Sequence, residues 1–318
     1  MNSRLQRMGA RLPVHLMDLR ENPRWVVMFT FGRIVALRRA LRALRALRYP
    51  TAGIAGSTIF GCVSIAEAVK SLERDGFFAG IRLPRQVVDD LREFAQQTTC
   101  YGNISKQIPF FPSDHRDAES KFSIPILVGH YLEKIEECCR IREIQKDSLL
   151  TEIASQYLKR KPHIISCRMW WSFPADRFDE HLLRRVSQNR LHFDMNDWSS
   201  VKFFFYLTDV DVASGPHVYV RRSHRRKRLR DQFTFFVGKP MSKVVNFYGA
   251  GNFVTICGPA GFGFAEDPFG FHMGTVAQKE PRLILEIEYG LSYTTRRQYL
   301  GILPERTDAA RGPITAND

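Results

Sequence analysis

The run Val201-Lys-Phe-Phe-Phe-Tyr-Leu207 limits the architecture more than any other stretch of this chain. Read as an extended strand it is apolar on both faces, because successive side chains point to opposite sides. Such a strand needs cover twice: on one side the interior of a folded-over sheet, on the other a layer of helices. Five further apolar runs share this part of the chain, at 163–173, 217–220, 252–257, 261–264 and 282–291, with Gly, Pro, Asn and Asp between them. Several short strands broken in this way predict a β-sandwich or jelly roll. The 24 Phe of the 318 residues predict a core rich in aromatics.

Residues 64–162 read as mostly helix and loop. Ser64-x-x-Glu67 is a capping-box start. Asp75-Gly-Phe-Phe78 reads as a turn into a short strand. Residues 84–97, 124–141 and 147–159 are helix candidates, the first with Val87, Val88, Leu91 and Phe94 near helical spacing. The fold class expected is therefore β-rich α+β: a jelly-roll core at about 163–291 with flanking helices. Residues 51–318 would form one domain, preceded by a basic helical extension over residues 1–50 that Pro50 closes.

Within the β-rich half, His192-Phe-Asp194 places an imidazole and a carboxylate on the same side of an extended chain. His272, 78 residues after Asp194, is the best third partner. Two His and one carboxylate on one face leave coordination positions open, which suits non-haem Fe(II), although Zn with the same ligands is a hydrolytic alternative. Arg282 enters an apolar strand ten residues after His272. A buried guanidinium needs an anion, and its planar fork matches a carboxylate. Glu286 lies on the same strand face, so an internal Arg282–Glu286 pair is the competing reading. Lys202 and Phe204 are candidates for lining a co-substrate pocket, and Thr275 for a hydrogen bond to its carboxylate; core packing or plain exposure competes for each.

Other motifs read as structural. His115-Arg-Asp117 has the letters of a kinase catalytic loop but no accompanying Gly-rich loop or Asp-Phe-Gly, and is read as solvated loop. His217 and His224 are rival ligands, read as structural or substrate-facing. Trp170, Trp171 and Trp198 are read as core.

The order and spacing of these residues resemble the phytanoyl-CoA dioxygenase family. The resemblance rests on His192-x-Asp194, the distal His272, Arg282, and Tyr206-Leu-Thr-Asp-Val-Asp-Val-Ala-Ser-Gly-Pro216 followed by Val218-Tyr-Val-x-x-Ser-His224. Asp75-Gly-Phe with Ile81-x-Leu-Pro84 resembles the family's opening, and the match spans about residues 70–291. It implies a double-stranded β-helix core, with His192, Asp194 and His272 holding Fe(II) and Arg282 holding 2-oxoglutarate. With O2, 2-oxoglutarate would be decarboxylated to succinate and a substrate hydroxylated. A halogenase is not implied, because Asp194 stands where halide needs a small residue. Arg221-Arg222 departs from the family's small residues, and residues 1–50 lie outside its pattern.

The formal charge of +14 is concentrated in two places. Residues 1–50 carry a net +9 and residues 221–230 a net +7, which leaves the remainder at −2. Two local basic patches on a near-neutral body suggest contact with an anionic partner or substrate rather than general nucleic-acid binding. No nucleic acid is expected, although an anion- or nucleic-acid-binding protein using the Arg clusters is one alternative and a non-catalytic jelly-roll binding protein another. Leu37, Leu41, Leu44 and Leu47 form one stripe of a basic amphipathic helix, with Arg38, Arg42 and Arg45 beside it and Trp25–Phe31 upstream. Residues 25–48 thus read either as a peripheral membrane contact or as a helix docked on the barrel. The substrate expected is a small molecule, lipid or glycolipid. Six Cys without CxxC spacing read as free thiols, and no run reads as a transmembrane helix, so a cytoplasmic protein, peripheral to a membrane at most, is expected.

Overall fold

The structure is a computed structural model that describes residues 23–49, 56–174, 182–183, 190–233 and 238–291. Its frame is an eight-stranded antiparallel sheet in the order β1-β9-β6-β11-β5-β4-β2-β3. The strands are β1 (Phe77–Arg82), β2 (Cys100–Gly102), β3 (Pro109–Phe110), β4 (Val128–His130), β5 (His163–Ser172), β6 (Ser200–Tyr206), β9 (Phe262–Glu266) and β11 (Arg282–Gly290). A smaller sheet, β10-β7-β8, comprises β7 (His217–Val220), β8 (Phe253–Ile256) and β10 (His272–Gly274). An isolated antiparallel bridge between His192 and His272 extends the small sheet by the segment that carries His192. The two sheets face each other as the halves of a jelly roll.

The long strand β6 is covered on both sides, as its composition requires. Val201, Phe203 and Phe205 point outward into the main apolar cluster, where Leu150, Ile153 and Ala154 of a helix at Ser148–Leu158 meet them. Phe204 and Tyr206 point inward and pack with Tyr219, Ile256, Phe264 and Ile284 between the sheets. Each fully buried Phe contributes about 1.5–3 kcal/mol through loss of apolar surface from water.

The helices, in chain order, are α1 (Pro23–Phe31), α2 (Val35–Ala46), α3 (Ile65–Asp75), α4 (Arg85–Gln97), α5 (His115–Phe122), α6 (Cys139–Gln145), α7 (Ser148–Leu158), α8 (Leu229–Gln232) and α9 (Met241–Tyr248). Ser64 caps α3 by accepting a hydrogen bond from the Glu67 amide, and Gly76 ends it in the left-handed region at φ 83°. A Cβ at Gly76 would collide with the Tyr219 hydroxyl and the His224 imidazole, so both conformation and space require glycine there.

Two sequence expectations are corrected. Residues 124–141 are not one helix: they form β4, a 3-10 turn at Leu132–Glu137 and the start of α6. Pro125 and Gly129 weaken helix there, and β4 gains ladder partners in β2 and β5. His115-Arg-Asp117 is not a solvated loop but the first turn of α5. The His115 ring stacks on Phe173 at 3.9 Å, and its Nε2 meets the Ile126 carbonyl at 2.8 Å. All six cysteines are free.

The N-terminal extension is described from Pro23. Trp25 and Met28 of α1 are buried against Met195 and Phe269 of the body, so this helix is docked. On α2 the two stripes have an unexpected orientation. The arginines face inward: the Arg38 guanidinium lies 4.1 Å over the Phe269 ring, and Arg42 lies 4.2 Å over Tyr157 while pairing with Glu73 at 2.8 Å. Only the C-terminal half of the leucine stripe reaches solvent, with Leu44 57% and Leu47 84% exposed, while Leu37 and Leu41 are half-buried. The expected closing residue Pro50 and residues 1–22 lie outside the described residues, as do residues 292–318. Trp25→Ala is expected to destabilise the fold by about 3–5 kcal/mol, the usual cost of deleting a buried indole. A lowered urea midpoint would show it, and an unchanged midpoint would mean that α1 is not held by this contact.

Candidate functional site

The inner face of the large sheet is unusually charged, and strand alternation explains how. On β11, Leu283, Leu285 and Ile287 enter the outer apolar cluster. The alternate residues Arg282, Ile284, Glu286 and Glu288 therefore face the space between the sheets. The register places Arg282 opposite Ser172 and Glu286 opposite both Arg168 and Phe204, with Glu288 opposite Lys202. A cavity of about 110 Å³ opens at this face. That is several times the roughly 10–15 Å³ that one water needs by the same measure, room for one small molecule.

Across the cavity, His192, Asp194 and His272 converge. One potential ligand atom from each lies within 4.8 Å of the others. The pairing that brings the histidines together is local: His192 and His272 exchange amide-to-carbonyl hydrogen bonds of 3.0 and 2.9 Å, which sets their rings side by side. The Asp194 amide bonds the Pro268 carbonyl at 2.8 Å, fixing the residue two positions on. Each ring is oriented by its Nδ1, His192 on the Arg190 carbonyl at 2.8 Å and His272 on the Gly270 carbonyl at 3.0 Å. A carbonyl only accepts, so Nδ1 carries the proton and Nε2 presents its lone pair to the common point. The His192 Nε2 lies 3.8 Å from Asp194 Oδ1 and the His272 Nε2 3.6 Å from Asp194 Oδ2. Both separations are below about 4.2 Å, twice a typical metal–nitrogen bond, so one first-row cation fits between these donors.

The electrostatics of His192 and Asp194 favour the same use. Burial, with the neighbouring His272, lowers the His192 pKa to about 3 and keeps that ring neutral. Burial works against the Asp194 charge, but Lys202, then His272 and His192, hold its carboxyl well below the usual range. His272 is raised despite burial, through Glu266 and Asp194.

Arg282 is 4% exposed and lines the same cavity. One terminal nitrogen donates to the Ser172 hydroxyl at 3.1 Å, while its Nε has no hydrogen-bond partner. Burial lowers its pKa, opposed only by Tyr206, so no carboxylate among the described residues compensates it. The competing Arg282–Glu286 pair does not form. Glu286 instead takes Arg168 through both oxygens at 2.6 Å and Lys202 at 3.4 Å.

The softer candidates fall out differently. Phe204 lines the cavity and stacks on Phe264 with ring centroids 5.0 Å apart. Lys202 lines it too, with its ammonium donating to Asp194 Oδ2 at 2.6 Å. Thr275 borders the cavity, yet its hydroxyl donates to the Pro216 carbonyl at 2.7 Å and so has no proton left for a carboxylate. His217 is held by Glu266 at 2.8 Å, and His224 Nε2 lies 3.3 Å from the Glu73 carbonyl; neither joins the converging set. Trp171 is core as expected, whereas Trp170 lines the cavity with His130 stacked on it at 5.4 Å.

Arg168, Glu266 and Glu288 were missed in the sequence. Burial raises the Glu288 carboxyl to about 7, and Asn196 donates to it at 2.7 Å. The available signal was the alternation Arg-x-x-x-Glu-x-Glu in an otherwise apolar strand, which marks one polar face. Glu286→Gln is expected to cost about 3 kcal/mol, the low end for breaking a buried pair, because the Arg168 fork reaches solvent. A melting temperature equal to the parent's would show that Lys202 and Arg168 do not depend on Glu286.

No family model and no curated protein sequence matches the chain. Solved structures do. AviO1 from Streptomyces viridochromogenes Tue57 is 16% identical at a TM-score of 0.47, with 72% of this chain and 96% of that chain covered. The non-heme alpha ketoglutarate dependent carbocyclase SnoK from nogalamycin biosynthesis is 17% identical at 0.49, covering 72% and 86%. HygX from Streptomyces hygroscopicus, solved with nickel and 2-oxoglutarate bound, is 14% identical at 0.48, covering 73% and 89%. Among the described residues, no helix is long and apolar enough to cross a membrane.

Proposed function

We propose that this protein is an Fe(II)- and 2-oxoglutarate-dependent dioxygenase of the phytanoyl-CoA dioxygenase type, which hydroxylates a small-molecule, lipid or glycolipid substrate. The observation that carries the reading is the pairing, in one cavity, of three converging metal-type donors with the buried, uncompensated guanidinium of Arg282. Zinc hydrolysis would use the first feature and leave the second without a task. A non-catalytic binding module would need neither.

Iron(II) held by His192, Asp194 and His272 supplies, with O2, the oxidative decarboxylation of 2-oxoglutarate to succinate coupled to hydroxylation. The protein's own part is positional. The Arg190 and Gly270 carbonyls hold the two imidazoles in the tautomer that directs Nε2 inward. Lys202 donates to Asp194 Oδ2 at 2.6 Å and so balances the carboxylate's charge, while Oδ1 faces the His192 Nε2 at 3.8 Å. Arg282, steadied by Ser172, would grip the distal carboxylate of the keto-diacid, a charge-assisted contact strengthened by the dry surroundings. Phe204 and Ile284 exclude water from that end.

Two measurements test this. With Fe(II), 2-oxoglutarate and O2 the protein is expected to release succinate. Mixed without oxygen, it is expected to show the visible charge-transfer band of a chelated keto acid. Failure of both, in protein that retains its melting transition, would remove the assignment.

A further inference from the structure

Surface hydrophobic residues are normally scattered, but here they cluster. Of the ten large apolar side chains exposed among the described residues, eight lie within residues 23–49 or 221–248, two stretches that hold or directly follow the runs of excess positive charge. Val27, Phe31, Leu44 and Leu47 belong to the first, and Leu229, Phe233, Met241 and Phe247 to the second. The segments adjoin. The Val35 amide at the start of α2 donates to Gln232 of α8 at 2.9 Å, and the Arg228 guanidinium lies 4.1 Å over the Phe247 ring of α9. Among the described residues of 23–49 and 221–248 the only acid is Asp231, which is buried and paired with Lys239. Arg24, Arg39, Arg225 and Arg226 are exposed, and Arg222 is exposed but pairs with Asp75 at 3.5 Å.

We propose that this face, formed by α1, the outer side of α2, α8 and α9, docks on an anionic phospholipid surface. Charge complementarity selects the occupant. A second copy of the chain would bring the same unneutralised arginines against themselves, whereas a bilayer with acidic headgroups offers phosphates at the rim and acyl chains beneath. The inward turn of Arg38 and Arg42 belongs to the same arrangement. With those two cations spent on Phe269, Tyr157 and Glu73, Leu44 and Leu47 at the end of α2 are left free to lie in the headgroup layer. The surface is also one layer from the candidate site. Val244 of α9 is buried against Leu191, Phe271 and Met273, the neighbours of His192 and His272. The proposal stands independently of the iron chemistry.

The test is co-sedimentation of the full chain with vesicles of phosphatidylcholine alone and of phosphatidylcholine with about 30% phosphatidylglycerol, whose anionic headgroups supply a negative surface potential. Binding to the acidic vesicles is expected, weakening as salt rises. Arg225→Glu with Arg226→Glu should reduce partition roughly fivefold or more for each cation. Leu229→Glu with Phe233→Glu should abolish the salt-resistant part. All variants should keep the parent's circular dichroism and melting temperature. Equal binding to neutral vesicles, or no binding to acidic ones, overturns the proposal. So does a dimer, seen by light scattering, that these same substitutions dissociate, because the face would then belong to a second copy.

Discussion

Arg282→Met is expected to melt at a higher temperature than the parent when both are free of ligand, and to lose its response to 2-oxoglutarate. The two effects have one cause. In the free protein the guanidinium is buried with a single neutral partner, Ser172, and an unpartnered Nε. Exchanging it for an apolar side chain of similar length removes an uncompensated charge, a change that stabilises by about 1 kcal/mol or more in comparable buried sites. With 2-oxoglutarate present the balance reverses, because the variant leaves the ligand's distal carboxylate buried and unpaired. Truncating one side of a buried charged contact costs about 2–5 kcal/mol, so the half-saturating concentration should rise from about 30-fold to several-thousand-fold. Arg282→Lys keeps the charge without the fork and should fall between. Thermal melts with and without 2-oxoglutarate, in the presence of Mn(II), read both effects. A ligand response preserved in Arg282→Met would mean that the cavity's anion is held elsewhere.

Asp194→Ala should abolish stoichiometric binding of Fe(II) or Mn(II) and with it the visible band. Outer partners of metal ligands already contribute about 10–100-fold in affinity, so loss of a direct donor should exceed about 100-fold. The substitution also strips Lys202 of its nearest carboxylate, leaving Glu286 at 3.4 Å and Glu288 at 3.9 Å. Stability should therefore fall as well, unlike in His192→Ala, where a neutral ring is lost and no ion is stranded. Isothermal titration with Mn(II) beside a urea melt separates these consequences. If Asp194→Ala takes up metal as the parent does, the converging residues are not its ligands.

Much of the strand pattern was legible because each strand is a short apolar run with punctuation at its ends. The run read as 217–220 is β7, and that read as 282–291 differs from β11 by one residue. Helix readings held where caps and spacing agreed, as at Ser64 and over residues 84–97, and failed over residues 124–141, where pairing with β2 and β5 outweighed local preference. The site candidates on strands could be placed by face but not by partner. Thr275 and Lys202 do border the cavity, yet their polar atoms are spent on Pro216 and Asp194. A two-residue period states which side a group faces and nothing about which neighbour reaches it first.

The order His192, Asp194, His272, Arg282 and the alternation along β6 and β11 are properties of the chain itself, since they follow from residue type and from the pleat. What only the folded state decided was the allocation of charge: Glu286 to Arg168 rather than Arg282, Lys202 to Asp194, and Arg38 and Arg42 of α2 to the protein rather than to solvent. Those choices depend on distances between segments far apart in sequence. Coulomb energy and desolvation cost change steeply over a few ångströms in a dry interior, and no pattern of letters encodes that separation.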